Sequence, residues 1–447
     1  MFDDFFNMIY FYAIMTGIIL LPVVAALLLF KKWKADGHLP FSHRCLKFGI
    51  SSQIHGVIFG KLFGILYCYS PQQAEGHIAI FGPSGKGKTS ALLIPTLCHC
   101  DGTALVVDIS GDISANVNMP NKIVFEPAEK ATTPYNVFAA VDAAQSDSEK
   151  RELLEQLAFL LMPDLPNQTG ASVFFTQEGR KILTAAFICY YFEGWDFVEI
   201  CEFILSNDWR SLMNDIVKYD NTIANMNIRG FSGNNEQNNA GCKQSADAAV
   251  KLFATNDCVK NALRKPVRFE TAISPATLET KSVFIKIDDS KLNIYAPLLK
   301  IITAQSLEYF SKRPVENTNT ILFCLDEFAS LGKLEITDAL RKLRKRHIRI
   351  MILTQAMADI DLIYGKAERQ AMMNNFAFKV ILGCGDVETQ DYFSKLIGEK
   401  KSLLHENTAA PQATPIIKPA ELAHLGENVI VLSDDGYIKL QKNYYFK

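Results

Sequence analysis

The sequence contains no pair of cysteines at the Cys-x-x-Cys spacing that zinc ribbons and redox motifs use. Its 10 cysteines are scattered singly, and the closest grouping, Cys98-His99-Cys100, has no second ligand pair near it in the sequence. A disulfide framework and a paired-cysteine zinc site are therefore not expected. Small buried thiols in a reducing compartment account for this usage.

The chain also lacks an excess of charge of either sign. It has 46 Lys and Arg residues against 48 Asp and Glu residues, so the net charge is −2. This balance excludes a polybasic nucleic-acid binder, and any contact with nucleic acid must come from a local patch.

The sequence shows no repeat of solenoid period, and its 447 residues suffice for one large domain with an insertion or for two domains.

Charged residues are missing altogether from residues 5–30. This apolar stretch is long enough to cross a hydrocarbon core of about 30 Å, so it predicts one transmembrane helix within a membrane anchor at residues 1–45. An acidic pair ending at Asp4 precedes the stretch and a lysine cluster beginning at Lys31 follows it. The positive-inside rule then predicts an N-terminus outside and a cytoplasmic remainder. A cleaved signal peptide is the alternative, but such peptides start with basic residues and have a shorter apolar core.

An octet of the form Gly-x-x-x-x-Gly-Lys-Thr lies at residues 82–89, between a strand-like run at 77–81 and a helix-like run at 90–93. This context is typical of a phosphate-binding P-loop, whose backbone N–H groups point at the phosphates of ATP. Lys88 is expected to reach the β- and γ-phosphates, and Thr89 to offer its hydroxyl to Mg²⁺. The predicted ATP-binding residues are Gly82, Pro83, Ser84, Gly85, Lys86, Gly87, Lys88, Thr89 and Ser90.

A second acidic motif follows the apolar run at 320–325. Asp326 is predicted to hold Mg²⁺, directly or through water, together with Thr89. Glu327 is predicted to orient and deprotonate the attacking water. Such a pair favours an ATP hydrolase over a small-molecule kinase, because a kinase passes the phosphoryl group to a bound acceptor without a second carboxylate. The alternative is a solvated pair of acids at a strand end.

The next apolar run, at 348–353, ends in Thr354 and Gln355. In this position Gln355 can hydrogen-bond the γ-phosphate or the lytic water, and a plain polar strand end is the alternative. The densest basic cluster in the chain lies at residues 341–349, between the acidic pair at 326–327 and the polar pair at 354–355. It is typical of the solvated face of a helix, but also of a patch for a nucleic-acid backbone or a source of an arginine finger.

Short apolar runs rich in β-branched residues predict an α/β fold with a mostly parallel, buried central sheet. The runs lie at 104–107, 123–125, 283–285, 321–325, 348–353, 378–382 and 429–432. Between residues 146 and 265 apolar residues recur at helical spacing without a strand pattern, which predicts an all-helical insertion domain. The nucleotide-binding domain then comprises residues 46–145 and 266–447. The Asn- and Gly-rich residues 221–241 are expected to form a long mobile loop.

In these motifs the chain resembles the type IV secretion coupling proteins, the membrane-anchored ATPases of bacterial conjugation. The resemblance runs from about residue 55 to the last residue, and Asp-Glu-Phe-Ala-Ser-Leu-Gly-Lys at 326–333 is its most specific part. The other matching segments are the P-loop with Ile94-Pro95, and residues 107–112, 134–136, 353–355, 363–365, 388–389 and 415–422.

The resemblance implies a RecA-like P-loop NTPase motor that assembles as a homo-hexamer below the bacterial inner membrane. Such a motor passes a relaxase-bound single DNA strand, or protein effectors, to a type IV secretion channel. The resemblance implies that Lys88 binds phosphate, and that Thr89 and Asp326 bind Mg²⁺. It also assigns Glu327 to catalysis and Gln355 to sensing of the γ-phosphate, with ATP bound between subunits.

Two features depart from the family pattern. Relatives commonly have two transmembrane helices, whereas residues 50–69 are interrupted by polar residues and are better interpreted as strands. The loop at 108–112 has Ser110 before Gly111 and Asp112 after it, where relatives tend to have Lys and Glu. Three functions stay open: a DNA-translocating coupling ATPase, a receptor ATPase for protein export, and a membrane-bound scaffold that binds nucleotide with little turnover.

Overall fold

The structure, a computed structural model, describes residues 45–50, 54–164, 170–233, 235–401 and 413–447, together with the single position 24. Within these residues, no helix is both long enough and apolar enough to cross a bilayer. The transmembrane helix predicted at residues 5–30 lies outside the described residues apart from that one position. The membrane anchor therefore stays a prediction.

A twelve-stranded sheet forms the centre of the described chain, with the strand order β1-β3-β2-β14-β13-β10-β4-β9-β8-β5-β7-β6, and a separate small sheet pairs β11 with β12. The strands are β1 (Lys47–Gly49), β2 (Gly56–Leu62), β3 (Leu66–Pro71), β4 (His77–Phe81), β5 (Thr103–Asp108), β6 (Lys122–Phe125), β7 (Ser282–Lys286), β8 (Ile321–Leu325), β9 (Ile348–Thr354), β10 (Phe376–Ile381), β11 (Glu399–Lys401), β12 (Ala413–Pro415), β13 (Asn428–Ser433) and β14 (Gly436–Gln441).

The seven strands from β10 to β6 in this order are all parallel to their neighbours. Apart from the edge strand β6, their residues are almost entirely buried because helices cover both faces, which explains why these segments are largely apolar runs in the sequence. The predicted mostly parallel sheet is therefore confirmed. The run at 429–432 lies in β13, which is antiparallel to β10 and begins an antiparallel extension through β14, β2, β3 and β1. The strands expected within residues 50–69 belong to this extension.

Helices pack on both faces of the sheet and fill the segment between β6 and β7. In the described chain they are α1 (Ile94–Cys98), α2 (Asp112–Asn116), α3 (Ala139–Ala143), α4 (Asp147–Leu161), α5 (Ala171–Phe192), α6 (Phe197–Ser206), α7 (Trp209–Lys218), α8 (Thr222–Ile228), α9 (Glu236–Thr255), α10 (Asp257–Leu263), α11 (Leu292–Ser311), α12 (Ile336–Leu343), α13 (Met357–Asn375), α14 (Val387–Ile397) and α15 (Pro419–Ala423). The described part of residues 146–265 holds α4 to α10 and no strand, whereas the division of the chain into domains stays a prediction.

The expectation of a long mobile loop at residues 221–241 is wrong, because α8 and the first part of α9 lie there. The Asn221 side chain accepts a hydrogen bond from the backbone N–H of Ala224, and the Asn235 side chain accepts one from Gln237. Asparagine satisfies the free N–H groups at the start of a helix, so it is as typical of helix N-caps as of loops. Asn221 and Asn235 therefore start helices instead of marking a loop.

Arg349 separates from the rest of the basic cluster at 341–349, because it is buried in β9. Its guanidinium donates hydrogen bonds to the carbonyl oxygens of Gly76 at 3.0 Å and Pro71 at 3.1 Å, and to the Ser70 hydroxyl at 3.0 Å. Burial lowers the pKa of Arg349 to about 10. This arginine joins the antiparallel extension to the parallel sheet, whereas Arg341 is exposed on α12 as the solvated-face interpretation expects.

His77 is the buried first residue of β4 and is held in one neutral form. Its Nδ1 accepts a hydrogen bond from the backbone N–H of Ile350 at 3.0 Å, so that nitrogen carries no proton. Its Nε2–H donates to the carbonyl oxygen of Leu340 at 2.7 Å. Burial, with the charges of Arg349 and Arg344, lowers the pKa of His77 to about 4.

This geometry predicts that acid destabilises the fold through His77. The unfolded histidine binds a proton below its usual pKa of about 6.5, whereas the folded one does not until about pH 4. The folded pKa is depressed, so unfolding becomes easier as the pH falls through this window, by up to about 3 kcal/mol. Urea unfolding of the wild type and of His77→Gln at pH 7, 5.5 and 4.5 measures the difference. A constant difference between the two proteins across this range would contradict the assignment.

Candidate active site

The predicted site residues meet because three parallel strands end at the same edge of the sheet. The P-loop follows β4, Gln355 follows β9, and Asp326 and Glu327 follow β8. In the register of the sheet, Phe81 of β4 pairs with Thr354 of β9, and β9 pairs in turn with β8. The carboxyl edge of a parallel sheet is where α/β proteins bind ligands. The strand order thus places Gln355 between the phosphate loop and the acidic pair.

Glycine is required at position 87 of the P-loop for two separate reasons. Its φ of +92° lies in the left-handed region, which side chains rarely adopt. In addition, a Cβ there would lie 3.1 Å from Cε1 of Tyr444 and 3.3 Å from Cβ of Ala91. The chain continues from Gly87 into a π-type helical turn at Lys88–Leu93 and then into α1. At the other end of the loop, the Gly82 N–H donates to the Thr354 carbonyl oxygen at 3.2 Å, which ties the loop to β9.

The Lys88 ammonium lies inside the loop and is only 6% exposed. It donates a hydrogen bond to the Gly82 carbonyl oxygen at 2.7 Å, and Oε1 of Glu327 lies 3.8 Å from its Nζ. A buried ammonium needs anionic or carbonyl partners, and a phosphate oxygen is a suitable partner for it. Lys88 therefore links the phosphate loop to the carboxylate proposed to act on water.

Thr89 and Asp326 form the predicted Mg²⁺ pair. The Thr89 hydroxyl donates to Oδ2 of Asp326 at 3.5 Å. Burial, with the charge of Glu327, raises the pKa of Asp326 to about 6, and the Lys88 cation opposes this rise. A hydroxyl and a carboxylate are hard oxygen donors of the kind Mg²⁺ prefers, and Mg²⁺ usually takes only one or two protein ligands beside substrate phosphates and water. The residues present therefore fit the metal.

The described residues contain no cluster of three or more His, Cys, Asp or Glu side chains that could hold a metal ion by themselves. The grouping Cys98-His99-Cys100 does not belong to such a cluster. For Mg²⁺, phosphate and water oxygens would have to supply the remaining ligands, which is the common pattern at nucleotide sites.

Glu327 is held in an unusual backbone conformation, with a φ of +45°. Non-glycine residues adopt this left-handed region only where the surrounding structure enforces it, and such positions are common at active sites. The next residue, Phe328, is fully buried, and its ring stacks on Tyr364 with centroids 5.5 Å apart. The Gln355 side-chain amide donates to Oε2 of Glu327 at 3.4 Å. Glu327 is thus fixed between Lys88 and Gln355.

The structure brings together the five side chains for which the sequence motifs predict chemical roles. They are Lys88, Thr89, Asp326, Glu327 and Gln355. Their individual roles stay predictions. Asp108, in the loop that departs from the family pattern, is used locally, because its buried carboxylate accepts hydrogen bonds from the backbone N–H groups of Gly111 at 2.9 Å and Ser114 at 2.6 Å.

Sequence reasoning did not find Tyr444, whose ring borders the P-loop at Gly87. No motif spacing connects the two residues, because the contact depends on where β14 lies in the sheet. The aromatic character of residues 444–446 was a visible signal, but nothing in the sequence indicated what these residues pack against.

The fold and the site together define a class of protein. A parallel sheet with a P-loop after one strand, an acidic pair after the next strand but one, and a polar side chain on the strand between them is the arrangement of a RecA-like P-loop NTPase. A family model described as "Type IV secretory system Conjugative DNA transfer" matches residues 41–447. The chain therefore belongs to this type IV secretory system family, and the resemblance carried by its sequence motifs is confirmed.

Individual relatives agree with the family match. The protein VirD4 of Rhizobium rhizogenes is 21% identical over 446 residues, which cover 93% of this chain and 65% of the relative. The conjugal transfer protein TraG of Agrobacterium fabrum (strain C58 / ATCC 33970) is 22% identical, with 86% of this chain and 62% of the relative covered. The chain thus spans less than two thirds of the length of these relatives.

Solved structures show the same fold. The plasmid coupling protein TrwB in complex with the non-hydrolysable ATP analogue ADPNP superposes with a TM-score of 0.69, at 19% identity, and covers 85% of this chain and 88% of that one. TrwB in complex with ADP and Mg²⁺ superposes with a TM-score of 0.64, at 20% identity and the same coverage. The RecA-like architecture of the described residues is therefore shared with TrwB.

Proposed function

We propose that this chain is an ATP hydrolase whose active site lies at the carboxyl edge of β4, β9 and β8. The observation that carries the proposal is the contact of Lys88 with Glu327 at 3.8 Å, because it joins the phosphate-binding loop to a carboxylate able to act on water. A small-molecule kinase needs no such carboxylate beside the γ-phosphate. The ATP analogue bound in one TrwB complex and the ADP with Mg²⁺ bound in another support ATP as the substrate and Mg²⁺ as the cofactor.

In this proposal, each group of the site has a separate role in hydrolysis. Backbone N–H groups within residues 84–90 and the Lys88 ammonium hold the triphosphate and neutralise charge that develops on it. Mg²⁺, held by Thr89 and Asp326, would supply a Lewis acid for the phosphate oxygens. Glu327 accepts a proton from the attacking water, and Gln355 orients that water or the γ-phosphate through the amide that contacts Glu327.

We propose that ATP hydrolysis by this chain drives the delivery of DNA to a type IV secretion channel during conjugation. The family description and the names of the relatives support this role. In this proposal the motor is a homo-hexamer, anchored in the bacterial inner membrane by one helix at residues 5–30, with its N-terminus outside and its nucleotide-binding domain in the cytoplasm. Its DNA substrate is a single strand that arrives with a relaxase.

A receptor ATPase for protein effectors is the second candidate, because the same active site could drive it without DNA. The net charge of −2 favours neither candidate, because a near-neutral chain can bind either DNA or protein cargo. The two candidates differ in whether single-stranded DNA is a ligand. Helices α4 to α10 form the largest part of the described chain that the active site does not use.

Steady-state ATP hydrolysis by the full chain, with and without single-stranded DNA, separates the candidates. The coupling-ATPase proposal expects DNA to raise turnover, and expects DNA affinity to fall with salt at a slope of about −0.7 per phosphate contacted. Lys88→Ala serves as the background for contaminating hydrolases. Turnover indifferent to DNA would select the protein receptor instead, and turnover no higher than in Lys88→Ala would overturn both.

A further inference from the structure

Residues 442–447, named here the 442–447 segment, follow β14 and lie against the phosphate-binding loop. The backbone N–H of Tyr445 donates to the Ser90 carbonyl oxygen at 3.1 Å, and the ring of Tyr444 borders Gly87. At the start of the segment, the Lys442 ammonium is buried and donates to the Gly426 carbonyl oxygen at 2.8 Å. The segment is therefore held at its start by Gly426 and farther along by the phosphate-binding loop.

The sheet topology explains why the segment reaches this place. β13 is antiparallel to β10, and β14 is antiparallel to β13, so β14 runs in the same direction as β10 and β4. Its last residue, Gln441, consequently lies at the same carboxyl edge as the P-loop. β10, β13 and β14 lie on one side of β4, whereas β9 and β8 lie on the other.

This arrangement gives the site two sides. Gln355 and Glu327 follow β9 and β8, so the γ-phosphate of a bound nucleoside triphosphate must face that side if Glu327 is to act on the attacking water. A P-loop holds the α- and β-phosphates in its backbone, and Lys88 reaches toward the γ-phosphate. The nucleoside then leaves the loop on the side of β14, where the 442–447 segment packs on Gly87 and Ser90.

The segment presents aromatic surface at this exit. Tyr444 is half-buried, and its ring lies 5.3 Å from that of Phe446, which is 62% exposed. The Lys447 ammonium lies 4.5 Å from the centre of the Tyr444 ring. That lysine side chain is 60% exposed and pairs with the exposed Glu427 at 3.4 Å, so solvent and an incoming ligand can displace it at little cost. An aromatic ring that attracts a cation on its face also stacks well with a nucleobase.

We propose that Tyr444 is the nucleobase-contacting residue of this site, with the base of ATP stacked on its ring beside Gly87. The inference rests on the proposed ATP hydrolase function and adds to it the part of the site that distinguishes ATP from bare polyphosphate. Every nucleobase offers a π-face, so stacking holds the nucleoside without reading its hydrogen-bonding pattern. Purines offer more ring area than pyrimidines, and the platform therefore favours ATP and GTP over CTP.

Replacement of the ring tests this assignment in the full chain. Tyr444→Ala is expected to raise the KM for ATP about 10-fold with kcat little changed, the order of effect of one base stacked on an aromatic side chain. Tyr444→Phe keeps the ring and is expected to keep the wild-type KM. Inorganic tripolyphosphate, used as a competitive inhibitor, has no base, so its inhibition constant is expected to be the same in all three proteins.

Tyr445→Ala is the matched control, because it removes an aromatic side chain from the same segment and keeps the backbone hydrogen bond to Ser90. An unchanged KM for ATP in Tyr444→Ala would overturn the inference. A loss of tripolyphosphate affinity by the same factor would also overturn it, since the ring would then only hold the loop in shape. Equal losses in the Tyr445→Ala control would overturn the assignment to Tyr444.

A measurement on the unaltered chain guards against a variant that fails to fold. The fluorescence of the etheno-adenine analogue of ATP is quenched when its base stacks on an aromatic ring, so binding to the wild type is expected to quench it. Binding without quenching overturns the inference alone. A wild type that binds neither tripolyphosphate nor ATP overturns the proposed function, and this inference with it.

Discussion

The variant Glu327→Gln is expected to bind ATP and to hydrolyse it about 100- to 10,000-fold more slowly than the wild type, the usual contribution of a general base. The amide keeps the size and the hydrogen-bonding reach of the carboxylate, so the contact with Gln355 can persist. It cannot accept a proton from water, however. Phosphate release at saturating ATP measures kcat, and equilibrium binding of a fluorescent ATP analogue measures the retained affinity.

Glu202→Gln is a suitable control for this change, because Glu202 also pairs with a lysine, Lys260 at 2.9 Å, but lies on α6 among the helices outside the active site. It is expected to leave turnover unchanged. Removal of the Glu327 charge also leaves Lys88 with fewer anionic partners, so ATP affinity should hold or rise. Turnover of Glu327→Gln within a few-fold of the wild type would show that another group activates the water.

The variant Lys88→Ala is expected to lose both tight ATP binding and hydrolysis. Hydrogen bonds to charged groups contribute about 1.5–3 kcal/mol, which corresponds to a loss of affinity of about 10- to 100-fold. Removal of a preorganised charge from the reacting phosphate reduces turnover by a further factor of about 100 or more. Isothermal titration with ATP and Mg²⁺, followed by phosphate release at saturating nucleotide, separates the two losses.

The matched control is Lys379→Ala in β10. Lys379 is buried like Lys88, and its ammonium likewise donates to a backbone carbonyl oxygen, that of Phe376 at 2.8 Å. Both variants lose a buried cation and its hydrogen bond, so both should lose stability. Only Lys88→Ala is expected to lose nucleotide affinity beyond what unfolding explains. Equal affinities in the two folded variants would contradict the phosphate-binding role.

The parallel strands and the active site could be predicted from local sequence because their determinants are local. A strand buried on both faces is a continuous apolar run, as in β8, and a P-loop needs its glycines and lysine at fixed spacing. The Asp-Glu pair and Gln355 could be placed beside the loop because residues that end parallel strands share an edge.

Other features depend on contacts between distant parts of the chain. Arg349 could be counted in a basic cluster, but its burial depends on acceptors far away in the sequence, the carbonyl oxygens of Pro71 and Gly76 and the Ser70 hydroxyl. The asparagines at 221 and 235 suit a loop or a helix N-cap equally well until the packing of α8 and α9 decides. Tyr444 reaches Gly87 only because β14 joins the sheet on the side of β4 that is opposite to β9 and β8. No pattern within a short window contains this information.

In the proposed function, ATP hydrolysis at the carboxyl edge of the sheet drives DNA transfer. Conjugation frequency, measured with the chromosomal or plasmid copy replaced by Glu327→Gln and with Glu202→Gln in parallel, tests it most directly. Transfer by Glu327→Gln is expected to fall to the level of a deletion, while Glu202→Gln is expected to transfer normally. Undiminished transfer by Glu327→Gln, with equal amounts of protein in the cells, would contradict it.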